Sequence, residues 1–136
     1  AEMRYGVGKG STGSTLLITI GSGLGSALFI DGKLVPNTEL GHLFLKNQKS
    51  IAEKYAADSV RKKEDLSWED WGKRFNEYVS HVDKIIRPKL IILGGGGSKK
   101  FRRFSHLLTL NTRVVPAELL NNAGIIGAAI YAHERT

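Results

Sequence analysis

The segment that most restricts this chain is Gly21-Ser22-Gly23-Leu24-Gly25-Ser26, set between two short β-rich runs, Thr15 to Ile20 and Ala27 to Ile30. Glycine reaches backbone conformations closed to other residues and leaves room against the main chain. A glycine-rich piece joining two strands therefore reads as a tight hairpin turn. Such a turn is either purely structural, or it brings backbone N–H groups close to an oxyanion, with the Ser22 hydroxyl as one more donor. Two common phosphate motifs are excluded by the residues on its C-terminal side. No Gly-Lys-Ser/Thr comes after the glycines, so this is not a P-loop. A strand stands where a dinucleotide fingerprint needs a helix. Asp31-Gly32 before Lys33 reads as a second hairpin turn, because Asp-Gly tolerates positive φ. The first third is expected to be an antiparallel meander.

Helical spacing takes over beyond it. Ser50 to Lys63 reads as one helix, with Ile51, Tyr55 and Val60 roughly on one face. Ser67-Trp68-Glu69-Asp70 resembles a capping box with Asp in place of Glu. The helix it opens carries Trp71, Phe75, Tyr78, Val82 and Ile85 as a core stripe, and Pro88 ends it. Leu90 to Leu93 is a buried-type strand that runs into Gly94-Gly95-Gly96-Gly97-Ser98. A basic helix with Lys99, Lys100, Arg102 and Arg103 comes next, then a brief strand at Arg113 to Val115 and a last helix from Glu118 to His133. Strands, helices, then strand–helix–strand–helix predict an α/β domain with a mixed sheet flanked by helices.

Two further clusters carry chemistry. Pro36 to His42 places a carboxylate, Glu39, three residues before an imidazole, His42, around Gly41. Both side chains are good partners for sugar hydroxyls, and both also occur as ordinary solvated or structural residues. The strand–glycine–helix turn at Gly94 to Gly97 leaves space for a ligand against the backbone, and the lysines and arginines after it add positive potential. The plainer alternative is a tight turn and a solvated basic face. The net charge of +7 favours anionic partners, or serves solubility. With no cysteine, disulfides and thiolate metal sites are excluded. No apolar run approaches the ~20 residues of a membrane-spanning helix.

The ordered set of these pieces resembles the ROK sugar kinases of the hexokinase–actin (ribonuclease H-like) superfamily, and within them most of all the polyphosphate glucokinases. The resemblance rests on Leu17 to Leu28, Pro36 to His42, Leu66 to Trp71, Gly94-Gly95-Gly96, Ser98-Lys99-Lys100 and Pro116 to Ala129, and covers Ala1 to about Tyr131. It implies that residues 1–136 are the C-terminal half of such a kinase, with 1–14 a truncated lead-in and glycine-rich loop. It implies transfer of a phosphoryl group from polyphosphate or ATP, with Mg²⁺, to glucose. Glu39 and His42 match the family's Glu-x-Gly-His sugar contacts, and Glu53 a further one. Gly21, Ser22 and Gly23 would face the phosphoryl donor, with Gly95, Gly96, Lys99 and Lys100 near its phosphate chain or nucleoside. A cytoplasmic, homodimeric full-length protein is expected. The cysteines that hold zinc in many ROK proteins are absent, so no zinc is expected. The family's first phosphate loop and its catalytic Asp are also absent, so no catalytic residue is assigned here and the chain alone is expected to be inactive. A non-catalytic sugar-binding regulator of the same family is the alternative. A nucleic-acid module is disfavoured, because Phe101 and Phe104 have the spacing of core residues and not of a stacking platform.

Overall fold

In a computed structural model of the chain, residues 13–36, 38–45 and 48–117 are described. Ser14–Ile20 forms β1, Leu24–Ile30 forms β2 and Lys33–Val35 forms β3. They make the expected meander, with Ser14 opposite Ile30 and Leu28 opposite Val35. Asp31 and Gly32 turn the second hairpin with φ of 51° and 81°. Leu90–Gly94 forms β4 and pairs parallel to β1, and Arg113–Pro116 forms β5 parallel to β4. The sheet order is β3-β2-β1-β4-β5, so β1 lies at the centre of a mixed sheet.

The central position explains the composition of β1. Leu16, Ile18 and Ile20 alternate onto one face and are fully buried, together with Ile91 and Leu93 of β4. Over that face lies α3 (Trp68–Ile86), after the short helices α1 (Glu53–Ala56) and α2 (Asp58–Lys63). Trp71, Phe75, Tyr78, Val79 and Val82 of α3 are fully buried. Each side chain of this size stabilises the fold by about 1.5–3 kcal/mol relative to exposure. Trp71 stacks on Phe75 with centroids 5.1 Å apart and meets Phe104 edge-on at 5.0 Å. Phe104 is itself fully buried, so it offers no platform for a base. Ser67 caps α3 by accepting from the Asp70 amide at 3.0 Å. Arg87, in the left-handed region just before Pro88, closes its C-terminus.

Four expectations need correction. The first glycine turn is shorter than expected, since Leu24, Gly25 and Ser26 already belong to β2. The stripe of α3 stops short of Ile85, which is about half exposed. The basic segment is a 3₁₀ turn at Gly96–Lys100 followed by a single α-turn, α4 (Phe101–Phe104), not one continuous helix. The helix expected over residues 50–63 is broken at Ala57, which is extended with ψ of 156°. The break leaves the Ala56 carbonyl without a helical partner, and the buried Trp71 indole takes it: Nε1 donates to Ala56 O at 2.9 Å and shares Ala57 O at 3.2 Å with the Val60 and Arg61 amides. The helix expected from Glu118 to His133 lies outside the described residues. Among the described residues no helix is long and apolar enough to cross a membrane.

Candidate functional site

β1 and β4 run parallel, so their C-terminal ends lie side by side and both end in glycine turns. The turn after β4 sits directly on the end of β1. Gly95 has φ of 78°, and a Cβ there would stand 2.6 Å from the Ile20 carbonyl oxygen. Only glycine fits that approach without moving backbone. Ser98 is buried and its hydroxyl donates to Gly95 O at 2.7 Å, which fixes the turn from within. Between the two turns lies a cleft of about 250 Å³, lined by Gly21, Ser22, Gly23, Glu53, Gly95 and Gly96 among others. The structure thus brings together six of the residues singled out in the sequence.

Glu39 and His42 reach the same neighbourhood from the other side of β2. Leu40–His42 is a single 3₁₀ turn, with the His42 amide donating to Glu39 O at 3.1 Å. Ser26 of β2 holds the turn in place. Its hydroxyl donates to Thr38 O at 3.0 Å and accepts from the Leu40 amide at 3.1 Å. Gly41 is buried against the Leu24 carbonyl, where a Cβ would collide, which explains the glycine between the two candidate side chains. Glu39 and His42 themselves are exposed. Glu53 grips the other side of Leu24, whose amide donates to Glu53 Oε1 at 3.0 Å. The chain joins the two pieces, as Ala52 N–H donates to Leu43 O at 2.6 Å and Phe44 bridges to Ile51. One backbone residue, Leu24, therefore stands between Glu53 and the Glu39–His42 turn.

Lys99 and Lys100 are exposed at the far end of the 3₁₀ turn and do not line the cleft. Two residues that the sequence did not assign to the site belong to its frame, one of them, Tyr78, read there only as core. Ser59, at the start of α2, binds the turn after β1. Tyr78 is fully buried and its hydroxyl has no partner among the described residues. Burial, and after it the negative charge of Glu53, pushes the Tyr78 phenol above its ordinary range. Ser59 carries no local pattern, and the helical spacing of Tyr78 marks it as core and not as part of a site.

Among the described residues Glu53 is the only carboxylate that lines the cleft, and one of its oxygens is already taken by Leu24. Among the same residues no group of three or more His, Asp or Glu could hold a metal ion. They do not by themselves build a magnesium site. They can present backbone donors to an anion on one side, and a carboxylate and an imidazole to hydroxyls on the other.

No family model matches the chain. The polyphosphate glucokinase of Mycobacterium tuberculosis is 45% identical over 130 residues, which are 96% of this chain and 48% of that protein. The crystal structure of the inorganic polyphosphate/ATP-glucomannokinase from Arthrobacter sp. strain KM matches with a TM-score of 0.91 at 45% identity, over 99% of this chain and 53% of that one. A ROK family glucokinase from Streptomyces griseus, solved with glucose and AMPPNP, shares the fold with a TM-score of 0.76 at 20% identity, over 98% of this chain and 64% of that one. The chain spans about half the length of the curated relatives it matches.

Proposed function

On the premise that this chain is homologous to the polyphosphate glucokinases and has the fold of the ROK sugar kinases, we propose that it forms the C-terminal half of an enzyme that moves a phosphoryl group from polyphosphate or ATP to glucose. The observation that carries this reading is the arrangement around Leu24. A glycine-walled cleft suited to a phosphate chain and a Glu–His turn suited to a sugar flank one backbone residue, so donor and acceptor would meet there. Phosphoryl transfer depends chiefly on holding two substrates in line and stabilising the charge on the moving group. Gly21, Ser22, Gly23, Gly95 and Gly96 would hold the donor, and Glu39 and His42 the glucose hydroxyls. Glu53 would accept from the sugar with the oxygen not bound to Leu24. Mg²⁺ would arrive with the donor phosphates and partly neutralise them.

The proton of the attacking hydroxyl needs a base within ~2.6–3.2 Å. No aspartate lines the cleft among the described residues, so the base is expected from a part of the full-length protein beyond them. The test assays glucose phosphorylation with polyphosphate and with ATP, for the full-length protein and for residues 1–136 alone. Turnover by the full-length protein and none by the 136 residues is the expected pattern. Glucose binding without turnover in the full-length protein would favour a sugar-binding regulator and defeat the kinase reading. Turnover by the 136 residues would place the base inside the chain.

A further inference from the structure

We propose that Ser59 is a positioning residue for the donor: it holds the Gly21–Gly23 turn so that the Ser22 and Gly23 amides face the cleft. The inference rests on the reading of that cleft as the donor site. Ser59 makes two bonds to the turn. Its amide donates to Gly21 O at 3.2 Å and its hydroxyl donates to Ser22 O at 2.7 Å. In a trans peptide the N–H points opposite to the C=O of the same unit. There is no cis peptide bond among the described residues. Turning the carbonyls of Gly21 and Ser22 toward α2 therefore turns the N–H groups of Ser22 and Gly23 away from it. Ser59 does not line the cleft; it faces a separate depression with Lys54 and Lys63. The side away from Ser59 is thus the cleft side, opposite Gly95 and Gly96.

The hydrogen bonding of the turn supports the assignment. The Gly21 amide is satisfied by Gly23 O at 3.1 Å, and the Leu24 amide by Glu53 at 3.0 Å. Among the described residues the Ser22 and Gly23 amides have no acceptor. Two adjacent free amides at a turn, held from behind, form a small concave donor for a terminal phosphoryl group. Holding them in place before the substrate arrives lowers the cost of ordering them on binding. Polyphosphate and ATP both end in such a group, so tripolyphosphate and ATP are tested separately.

The experiment uses the full-length protein with Ser59→Ala and Ser59→Thr. Calorimetric binding of tripolyphosphate and of ATP should weaken about five- to tenfold in Ser59→Ala, the loss of one hydrogen bond. Where the protein turns over, the KM for the donor should rise by the same factor while the KM for glucose stays within about twofold. Ser59→Thr, which keeps the hydroxyl, should restore donor binding. A purely structural role would lower the melting temperature and weaken both substrates alike, which overturns the proposal. A loss confined to ATP also overturns it, because it would assign Ser59 to the nucleoside. If Ser59→Ala fails to fold, the wild-type protein still decides: the Ser22 and Gly23 amide resonances must shift when tripolyphosphate is added, and unmoved resonances sink the idea. Shifts at these amides in a protein that phosphorylates no sugar would leave this inference standing while the kinase reading fails.

Discussion

Around Leu24 two walls are built by different means. The Gly21–Gly23 turn is backbone held by backbone and by short side chains: Ser59 and Glu53 fasten it from α2 and α1, and Gly95 presses against its root. The Glu39–His42 turn is fastened through Ser26, the fit of Gly41 and the packing of Leu40 on the core, and it offers its two functional groups as exposed side chains. A wall whose donors are main-chain amides is altered by changing its supports or its glycines. A wall whose acceptors are side chains is altered by deleting them, with little effect on the fold. The two walls should therefore fail differently under mutation.

The largest effect is expected at Gly95. Gly95→Ala forces a non-glycine residue into the left-handed region, at roughly 1–2 kcal/mol, and drives a Cβ against the Ile20 main chain, at roughly 1–3 kcal/mol more. Urea unfolding should show a loss of about 2–5 kcal/mol. A Cβ at Gly96 would meet nothing within 4 Å. Gly96→Ala should leave stability within about 0.5 kcal/mol and reduce donor affinity by narrowing the cleft. Equal stability losses at the two positions would erase the distinction between a packed glycine and a ligand-facing one.

Glu39→Ala probes the other wall. Its carboxylate is exposed, so unfolding should be unchanged, while glucose binding should weaken by about 1.5–3 kcal/mol through the loss of a charged acceptor. Glucose titration and urea unfolding of the same full-length variant measure the two quantities. Undiminished affinity would remove Glu39 from the sugar site and leave the Glu39–His42 turn as a structural corner.

The two walls were also unequally legible in the sequence. The meander, the capped helix from Trp68, the strand at Leu90 and both glycine turns follow from local signals: alternation, a cap, and glycine next to a β-rich run. The break at Ala57 does not, because alanine favours helix and the cause lies elsewhere, in the Trp71 indole that takes the carbonyls of Ala56 and Ala57. The role of Ser59 depends on that break, since it is the change of direction that brings α2 to the turn after β1. Ile85 shows the converse: its spacing fits the stripe, but Ile86 is the residue that packs against the core there, and Ile85 is left facing outward. Glu39 and His42 were readable as a pair, yet nothing local says that Leu24 stands between them and Glu53.

A smaller effect is expected from the lysines of the 3₁₀ turn. Lys99 and Lys100 are exposed and lie outside the cleft lining, so they can act on a polyanion only through their field. Replacing both with glutamine should raise the KM for polyphosphate a few-fold and leave that for glucose unchanged. The contrast should shrink as salt rises, because exposed charges are screened over ~8–10 Å at 0.1–0.15 M. A salt-independent change would mean direct contact with the donor. Equal changes for both substrates would return these lysines to the solvated face.

The smallest effect concerns the outer support of α1, the helix that carries Glu53. Arg74 of α3 donates to Tyr55 O at 3.2 Å and grips Glu64 through both guanidinium nitrogens at 3.1 and 3.0 Å, with Tyr55 beneath the guanidinium at 4.7 Å. The hydrogen bonds from Arg74 hold the Glu64 carboxyl below its ordinary value of 4.5. A carboxylate whose folded value is depressed stabilises the fold above its unfolded value, and that contribution is lost as pH falls through the folded one. The exposed position of Glu64 keeps the contribution small. Melting temperatures followed from pH 7 to about pH 3 should therefore fall slightly more steeply in the wild type than in Glu64→Gln, with the gap between the two curves closing only below the ordinary carboxylate range. Parallel curves would show that Arg74 adds nothing through Glu64. The support of α1 beneath the donor wall would then come from the Trp71 bonds to Ala56 and Ala57 and from the Tyr55 carbonyl.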